Sequence, residues 1–323
     1  MLKEARQEPE AARDTILALE DRSREVAGLI DRAAVILCAG SGSSFHAALY
    51  LQNAMIGAGK PCITFQSSEY PGHRQLFSGS AVLVVFSQSG ESVDAVNALK
   101  ASRSTGMQRI LVTSCGDSEG SSLADLSLVT PTGREESVAA TKSYIGEIAA
   151  SLSLYIAHGK LPASEYAQKA YHAVRRAMEA ENGIRKNSHS IKEKAVILGT
   201  GSQYPTALEA ALKLRETSGI IAEGFSPREY LHGYIRTLDR ETSVVTVGQY
   251  REDDSLDTIG KIMRYTGTRV VIDSGPFEDQ GDRNLLEPFE TAARSHLLAY
   301  YLAVNRDLDP DNPDRLAKVV RPG

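Results

Sequence analysis

The sequence predicts an α/β fold in which one unit of alternating strands and helices occurs twice. Short apolar segments without charge alternate with amphipathic segments of helical period, which is typical of βαβ units and a parallel sheet. The pattern I-L-x-x-G-S occurs at residues 36–41 and again at 197–202, and an Ala/Leu-rich segment follows each copy. Because the order of strand and helix repeats with this pattern, we interpret the chain as two copies of one α/β unit.

The individual elements follow from the spacing of the apolar residues. Residues 10–32 predict a helical segment, because apolar positions recur at helical spacing between many charges. In the first copy we expect strands at 34–39, 61–65, 81–86, 109–113 and 126–129, and helices at 45–56, 93–102 and 139–157. In the second copy the pattern restarts at Ile197, and later strands are expected at 243–247 and 269–272. This gives an N-terminal helical segment at 1–32, a first domain at 33–160, a helical connection at 161–190, a second domain at 191–306 and a tail at 307–323 that we expect to reach the active site.

Composition excludes several classes of protein. The 323 residues are 42% hydrophobic and carry a formal net charge of −5, which argues against a general nucleic-acid binder. No apolar run approaches the ~20 residues that span a bilayer, and the charged N-terminus is unlike a signal peptide. The three cysteines and seven histidines show no metal-ligand spacing. We therefore expect a cytoplasmic protein without a metal, a membrane or a nucleic acid as partner.

The segment 81–92 carries the strongest functional signal. A charge-free apolar run ends in six small or polar residues, and an amphipathic pattern begins at Val93. This predicts a buried strand, a tight turn and a helix whose entrance presents the hydroxyls of Ser87, Ser89 and Ser92 and the amide of Gln88. Free N–H groups at the start of a helix bind anions, so a phosphate is one interpretation. An ordinary N-cap with additional serines is the other, since Ser is favoured there in any case.

Further polar groups follow other predicted elements. Ser41 follows the first strand, and ligands of parallel sheets bind at the carboxyl ends of strands. Residues 135–142 open the long helix and form either a further anion site or a capped helix with acidic residues. The strand at 244–247 leads into residues 248–251 without a serine cluster. We therefore do not expect the second copy to bind phosphate in the same way.

The second copy offers groups suited to proton transfer. Lys213 and Glu216 lie three residues apart on one helix face, among apolar neighbours, and form either a surface ion pair or a base with its partner. His232 lies in a loop-like segment and is either incidental or an imidazole that acts as an acid or a base. Residues 311–318, which include Lys318, have the composition of a solvated tail.

Taken in order, several strings resemble the sugar isomerase (SIS) family. They are residues 1–4 and 8–9, 87–92, 138–142, 201–205, 211–216, 232–233 and 316–318. The resemblance is to the isomerase half of glucosamine-6-phosphate synthase and to stand-alone relatives such as glucosamine-6-phosphate deaminase. It implies two SIS domains, each a five-stranded parallel sheet flanked by helices.

The resemblance also implies roles for particular residues. The sugar phosphate would be bound by Ser41, Ser87, Gln88, Ser89 and Ser92, and the sugar by Val138, Ala140 and Thr141. Glu216, supported by Lys213, would move a proton between C1 and C2, and Lys318 would form a Schiff base with the open-chain ketose. His232 would assist ring opening and, as in the synthase, come from the neighbouring subunit of a homodimer. No cofactor is implied, because proton transfer between adjacent carbons requires only a placed base.

The chain also departs from the synthase. Ser92 replaces a threonine and keeps the hydroxyl, whereas Ala140 replaces a serine and removes one polar contact. Tyr234 replaces the proline that usually follows His-Gly, and residues 226–230 differ from the synthase. The loop that carries His232 could therefore serve a different substrate. The sequence contains no glutaminase domain, so we expect no glutamine-dependent amination.

Together with these features, the resemblance implies a phosphosugar aldose–ketose isomerase. The most specific expectation is deamination of glucosamine 6-phosphate to fructose 6-phosphate and ammonia. Alternatives are a deglycase of fructosamine-type phosphates, a simple isomerase of another phosphosugar, and a non-catalytic sugar-phosphate sensor. A transcriptional sensor would carry a helix-turn-helix domain, for which the roughly thirty residues before the first strand are too few.

Overall fold

A computed structural model describes residues 1–73, 75, 80–250 and 254–318, with the backbone alone for 254 and 255. The first half contains α1 Leu2–Ala5, α2 Glu8–Ala18, α3 Glu20–Arg32, β1 Val35–Gly40, α4 Ser43–Gly57, β2 Cys62–Gln66, α5 Tyr70–His73, β3 Ala81–Phe86, α6 Val93–Ala101, β4 Gln108–Thr113, α7 Glu119–Leu123, β5 Leu126–Val129 and α8 Lys142–Gly159. The second half contains α9 Ala163–Glu179, α10 Glu181–Ser188, β6 Lys194–Leu198, α11 Tyr204–Ser218, β7 Ile221–Phe225, α12 Pro227–Tyr230, β8 Thr242–Val247, α13 Asp254–Met263, β9 Thr268–Ile272 and α14 Gln280–Asn305.

These elements form two compact units that are interleaved along the chain. Among the described residues, the first-sheet unit consists of 7–73, 75, 80–136, 142–171 and 317–318. The second-sheet unit consists of residues 1–6, 137–141 and 172–316. The short segment 137–141 therefore belongs to a different unit from the residues on either side of it.

The first-sheet unit contains a five-stranded parallel sheet in the order β2-β1-β3-β4-β5. Strands β1 and β3 are buried at every residue, because helices cover both faces of a parallel sheet. They pair in a register that sets Ala39 opposite Val85. The connections from β1 and β3 run to opposite sides, so the switch point of this sheet lies between these two strands.

The second-sheet unit repeats this arrangement with one strand fewer. Its sheet is parallel in the order β7-β6-β8-β9, which matches β2-β1-β3-β4 of the first sheet. The predicted α/β fold with an internal repeat is thus confirmed, but the expected five strands are wrong for this unit within the described residues. The segment that follows β9 leads into α14 without adding a strand.

Strand β7 was absent from the sequence expectation. Its sequence, Ile221 to Phe225, contains Glu223 and Gly224, both of which are uncommon in strands. The strand lies at the edge of the sheet, and Ile221 is 64% exposed. Because one face and one edge meet solvent, the uninterrupted apolar run typical of a buried parallel strand is missing.

The long helix α8 begins later than expected. We predicted residues 139–157, whereas the helix comprises Lys142–Gly159. The backbone N–H of Val138 donates to the carbonyl of Asp311 at 3.1 Å, and the N–H of Ser137 donates to the carboxylate of Glu4 at 3.2 Å. These hydrogen bonds within the second-sheet unit hold 137–141 in a non-helical conformation. None of the helices among the described residues is both long and apolar enough to cross a bilayer.

Candidate functional site

The loop after β3 is fixed by hydrogen bonds to its neighbours. The carbonyl of Gln88 accepts from the backbone N–H of Ser114 at 3.0 Å and from the hydroxyl of Thr113 at 3.1 Å. The carboxylate of Glu91 accepts from the backbone N–H of Glu119 at 2.8 Å. The loop is therefore held from the carboxyl end of β4 and from the start of α7.

The donors of this loop are left available. Within the described part of the chain, the backbone N–H groups of Gln88, Ser89 and Ser92 donate to no protein acceptor. Ser92 is the N-cap residue of α6, with extended backbone, yet its side chain makes no capping hydrogen bond. The first-turn N–H groups of α6 are thus not satisfied by the serine that an ordinary N-cap would use. This geometry favours the anion site over the capped helix.

Ser41 lies next to this loop in the topology of the sheet. It directly follows β1, the strand that pairs with β3, and it is exposed. The two turns that carry Ser41 and residues 87–92 therefore flank the switch point, where ligands of open parallel sheets bind. Val138, Ala140 and Thr141 belong to the second-sheet unit, and Thr141 is buried.

Helix α11 carries a row of charged side chains that are largely withdrawn from water. The side chains of Glu209 and Lys213 are 0% and 1% exposed, and that of Glu216 is 21% exposed. The ammonium of Lys213 bonds to the carboxylate of Glu216 and lies 3.5 Å from that of Glu209. A lysine is buried only where carboxylates compensate its charge. The interpretation as a surface ion pair is therefore wrong for Lys213.

A cavity of about 480 Å³ opens beside this row in the second-sheet unit. It is lined by the end of α11, including Glu216 and Thr217, and by residues 307–309 and 312–316. Lys213 is not among the lining residues, whereas Glu216, to which its ammonium bonds, is. The backbone N–H of Asp311 (2.9 Å) and the amide of Asn312 (3.2 Å) hold the pKa of Asp309 below its usual range. Glu216 therefore lines a cavity and is bonded to a buried cation.

His232 lies elsewhere on the second-sheet unit. It is exposed in the turn between α12 and a short 3₁₀ turn at Tyr234–Thr237, and its N–H donates to the carbonyl of Glu229 at 2.9 Å. It does not line the cavity that contains Glu216. Tyr234, two residues further on, is 46% exposed, and its ring lies 4.5 Å from that of Phe225.

Lys318 is not the solvated residue that the composition of residues 311–318 suggested. Its ammonium lies 3.0 Å from the carboxylate of Glu135, whose side chain is fully buried. Both residues belong to the first-sheet unit, which also contains the loop at 87–92. The pairing is between residues far apart in sequence, so the local pattern around Lys318 could not indicate it.

The local composition of residues 307–316 does not by itself indicate that 307–309 and 312–316 line a cavity. The segment holds two prolines and four aspartates directly after a long helix, a composition that is equally typical of a surface loop. Its carbonyl groups at Pro310 and Asp311 accept hydrogen bonds from Ser137 and Val138. No group of three or more His, Cys, Asp or Glu residues that could hold a metal ion occurs in the part of the chain described.

The fold and these sites define a duplicated α/β protein, with a donor-rich turn at the switch point of one sheet and a buried charge row beside a cavity in the other unit. The model of the SIS domain matches residues 29–157 and 190–272. The chain therefore belongs to the SIS domain family.

Known relatives agree with this assignment. The chain is 31% identical, over 343 residues, to a glutamine–fructose-6-phosphate aminotransferase (isomerizing) of Methanothermobacter thermautotrophicus, and the match covers 99% of this chain and 57% of the relative. The chain thus spans little more than half the length of that relative.

Solved structures share the fold. The C-terminal domain of glucosamine-fructose-6-phosphate aminotransferase from Francisella tularensis superposes with a TM-score of 0.84 at 24% identity, covering 97% of both chains. A glucosamine-6-phosphate deaminase from Thermotoga maritima superposes with a TM-score of 0.77 at 20% identity, covering 96% of this chain and 99% of that one.

Proposed function

We propose that the protein is a phosphosugar aldose–ketose isomerase, and specifically an amino-sugar-phosphate deaminase. Glucosamine 6-phosphate and water would give fructose 6-phosphate and ammonia. The observation that carries the proposal is the entrance of α6, where Ser92 leaves its capping position unused and the N–H groups of Gln88 and Ser89 have no protein acceptor within the described residues. Such an entrance suits a dianionic phosphate.

In this proposal Glu216 moves the proton. As a base it takes the proton from C2 of the open-chain amino sugar, which gives an enolamine, and it returns the proton to C1. The resulting imine at C2 is then hydrolysed, which releases ammonia. Lys213 supports this role, because a cation bonded to the carboxylate fixes its orientation and compensates its charge. The phosphate serves as the handle that positions C1 and C2.

Two further residues have proposed roles. His232 of one subunit assists ring opening in the site of the other subunit of a homodimer. Its exposure leaves the imidazole accessible to that second subunit. The amine of Lys318 forms an imine with the carbonyl carbon of the open-chain ketose. Val138, Ala140 and Thr141 contact the sugar.

The names of similar proteins support the substrate class. One relative is named for an isomerising transfer to fructose 6-phosphate, and one structural neighbour for deamination of glucosamine 6-phosphate. Both names involve a hexose 6-phosphate and a nitrogen at C2. Deamination is the reaction of this type that needs only water as second reactant.

A deglycase of fructosamine-type phosphates is the second candidate. The cavity beside Glu216 has a volume of about 480 Å³ and also contains Arg215 and Arg315. This volume exceeds what ammonia requires, and guanidinium groups suit an amine that carries a carboxylate. A non-catalytic sensor would need the phosphate loop but would not need a buried lysine bonded to Glu216.

The proposal is tested by incubating the protein with glucosamine 6-phosphate and with a panel of hexose phosphates in deuterated water. Ammonia release from glucosamine 6-phosphate, with deuterium at C1 of the product, is expected. Deuterium exchange without ammonia release would indicate a simple isomerase. Turnover of a fructosamine phosphate alone would indicate the deglycase. Binding of sugar phosphates without exchange or turnover of any of them would support the sensor.

A further inference from the structure

The buried carboxylate of Glu135 is an unusual partner for Lys318. Its side chain is fully excluded from water, whereas that of Lys318 is 24% exposed. The hydroxyl of Ser143, the second residue of α8, donates to the same carboxylate oxygen that Lys318 contacts. Burial of a carboxylate is costly unless charged and hydrogen-bonding groups satisfy it. The Lys318 ammonium is therefore drawn to one fixed position.

A surface ion pair of the same residue types provides a comparison. Glu165 and Lys169 lie 2.7 Å apart on α9, one turn from each other, and the side chain of Glu165 is 52% exposed. Such pairs contribute little and leave the lysine mobile. Glu135 and Lys318 are instead separated by 183 positions, and one partner is inside the protein. This arrangement fixes geometry, which an exposed pair does not.

We propose that Glu135 is the positioning residue and the proton carrier for Lys318. The inference rests on the proposed function, in which Nζ of Lys318 attacks the carbonyl carbon of the open-chain ketose. The ammonium cannot attack, because its nitrogen has no free electron pair. Glu135, at 3.0 Å, takes one proton from Nζ and leaves a neutral amine that points in the same direction.

The remaining steps use the same proton. The amine adds to the carbonyl carbon, the C–O π bond breaks, and the carbinolamine forms after a proton moves from nitrogen to oxygen. Glu135 then gives its proton to the departing hydroxyl, which leaves as water, and the nitrogen becomes an iminium. An ammonium and a ketone are thus converted to an iminium and water, and Glu135 is a carboxylate before and after. Before the reaction the ionised Glu135 faces the ammonium of Lys318, and after it the iminium. Between these states Glu135 is protonated and neutral, so its buried charge is never left without a cation.

The test is reductive trapping. The full-length protein is incubated with fructose 6-phosphate and sodium borohydride, and mass spectrometry of peptides locates and times the reduced adduct on Lys318. We expect trapping in the wild type, a rate lower by about 100-fold in Glu135→Gln, and a partial rate in Glu135→Asp. Glu165→Gln, which removes an exposed glutamate from an ion pair with lysine, should trap at the wild-type rate.

Controls separate this role from a structural one. Binding of inorganic phosphate, measured by calorimetry, should be unchanged in Glu135→Gln, because the loop at 87–92 is intact. If Glu135→Gln does not fold, the double variant Glu135→Gln/Lys318→Gln tests whether removing both charges together restores folding. The trapping rate is then measured in Glu135→Asp alone. A wild-type trapping rate in Glu135→Gln or Glu135→Asp with phosphate binding intact would overturn the inference.

The outcome for the wild type also distinguishes the two proposals. Absence of an adduct on Lys318 in the wild type would overturn the inference, because no imine would then exist for Glu135 to serve. If deuterium exchange at C1 of fructose 6-phosphate continued in that same protein, the isomerase proposal would stand. Loss of both adduct and exchange would contradict both.

Discussion

Ser92 occupies the N-cap position of α6, but its side chain makes no capping hydrogen bond. Substitution of an N-cap serine by alanine usually costs about 1 kcal/mol of stability. Because the Ser92 side chain makes no capping hydrogen bond, Ser92→Ala should leave the free energy of unfolding almost unchanged. The same change should weaken binding of a hexose 6-phosphate by about tenfold, since a hydrogen bond to a charged group is lost. Urea denaturation and calorimetry measure the two effects.

Ser118 is the matched control for stability. It is the N-cap residue of α7, and its hydroxyl accepts from the backbone N–H of Ser121. Ser118→Ala should therefore show the loss of about 1 kcal/mol that Ser92→Ala lacks. Equal losses of stability in both variants, or equal weakening of phosphorylated and unphosphorylated sugars by Ser92→Ala, would remove the assignment of Ser92 to phosphate.

We expect Lys213 to support both stability and the orientation of Glu216. Lys213→Met preserves most of the volume but removes a buried cation from between the carboxylates of Glu209 and Glu216, so we expect a loss of about 3–5 kcal/mol. Lys261→Met is the control, because Lys261 forms an exposed pair with Asp257 and should change stability by less than about 1 kcal/mol. Similar denaturation midpoints for the two variants would argue that Lys213 is not a compensated buried charge.

At the scale of the element, the turn between β3 and α6 depends on Gly90. Its φ of +65° suits glycine, and a Cβ at this position would lie 2.0 Å from the hydroxyl oxygen of Ser118. Gly106 has a similar φ of +72°, but a Cβ there meets nothing within 4 Å. Gly106→Ala should thus cost about 1 kcal/mol from backbone strain alone.

We expect Gly90→Ala to cost clearly more than Gly106→Ala and also to weaken phosphate binding, because the turn must shift to relieve the contact with Ser118. Urea denaturation of the two variants, followed by calorimetry with inorganic phosphate, measures this difference. If Gly90→Ala were as stable as Gly106→Ala and bound phosphate normally, the turn would not have the rigidity that we assign to it.

The equivalent turn of the second sheet has a hydrogen-bond acceptor from its own unit. After β8 the backbone N–H of Gln249 donates to the carboxylate of Glu287 at 3.0 Å, and the hydroxyl of Ser274 donates to it at 2.6 Å. The carboxylate of Glu287, a residue of α14, thus accepts a hydrogen bond from the N–H group that an external anion would otherwise contact. The sequence indicated the missing serines but not the carboxylate, because Glu287 lies far along the chain.

The predictability of each element follows its environment. Strands β3 and β5 have the predicted bounds, since an apolar run between turn residues has few alternatives. Strand β7 and the start of α8 were missed, because an exposed edge strand has no continuous apolar pattern and because hydrogen bonds to Asp311 and Glu4 decide where the helix begins. The local sequence pattern thus predicts buried strands correctly. It does not predict elements whose existence or bounds depend on contacts with distant residues.

The candidate site divides in the same way. The loop at 87–92 is continuous in sequence, so its composition could indicate an anion site before any coordinates. The Glu135–Lys318 pair and the cavity beside Glu216 join segments that are distant in sequence. Only the resemblance to a family pointed to Lys318, whereas helical spacing offered Glu216 as one of two interpretations. The burial of Lys213 was suggested by its apolar neighbours, whereas the partner Glu209 was not recognised.

For the whole molecule, the charges predict how stability depends on pH. Hydrogen bonds from the guanidinium of Arg109, at 2.6 and 3.0 Å, hold the pKa of Asp125 below its usual range, and Arg306 does the same for Glu193. A carboxylate with a lowered pKa in the folded state adds stability above its unfolded pKa of about 4, and this stability is lost as pH falls through the folded pKa.

We therefore expect the free energy of unfolding to decline as pH falls below about 4, and Asp125→Asn to be less stable than wild type near neutral pH. The difference between the two proteins should disappear under acid conditions below both pKa values. Urea denaturation across this range measures it. A constant difference down to the lowest pH would contradict the origin in the ionised form of Asp125.

We propose that Glu216 transfers a proton between adjacent carbons of a phosphosugar held by the loop at 87–92. The most direct test is deuterium incorporation from solvent at C1 of fructose 6-phosphate, followed by NMR for the wild type and for Glu216→Gln. We predict incorporation by the wild type and its loss, by about 100-fold or more, in a folded Glu216→Gln that still binds inorganic phosphate. Exchange at the wild-type rate in Glu216→Gln would contradict the account.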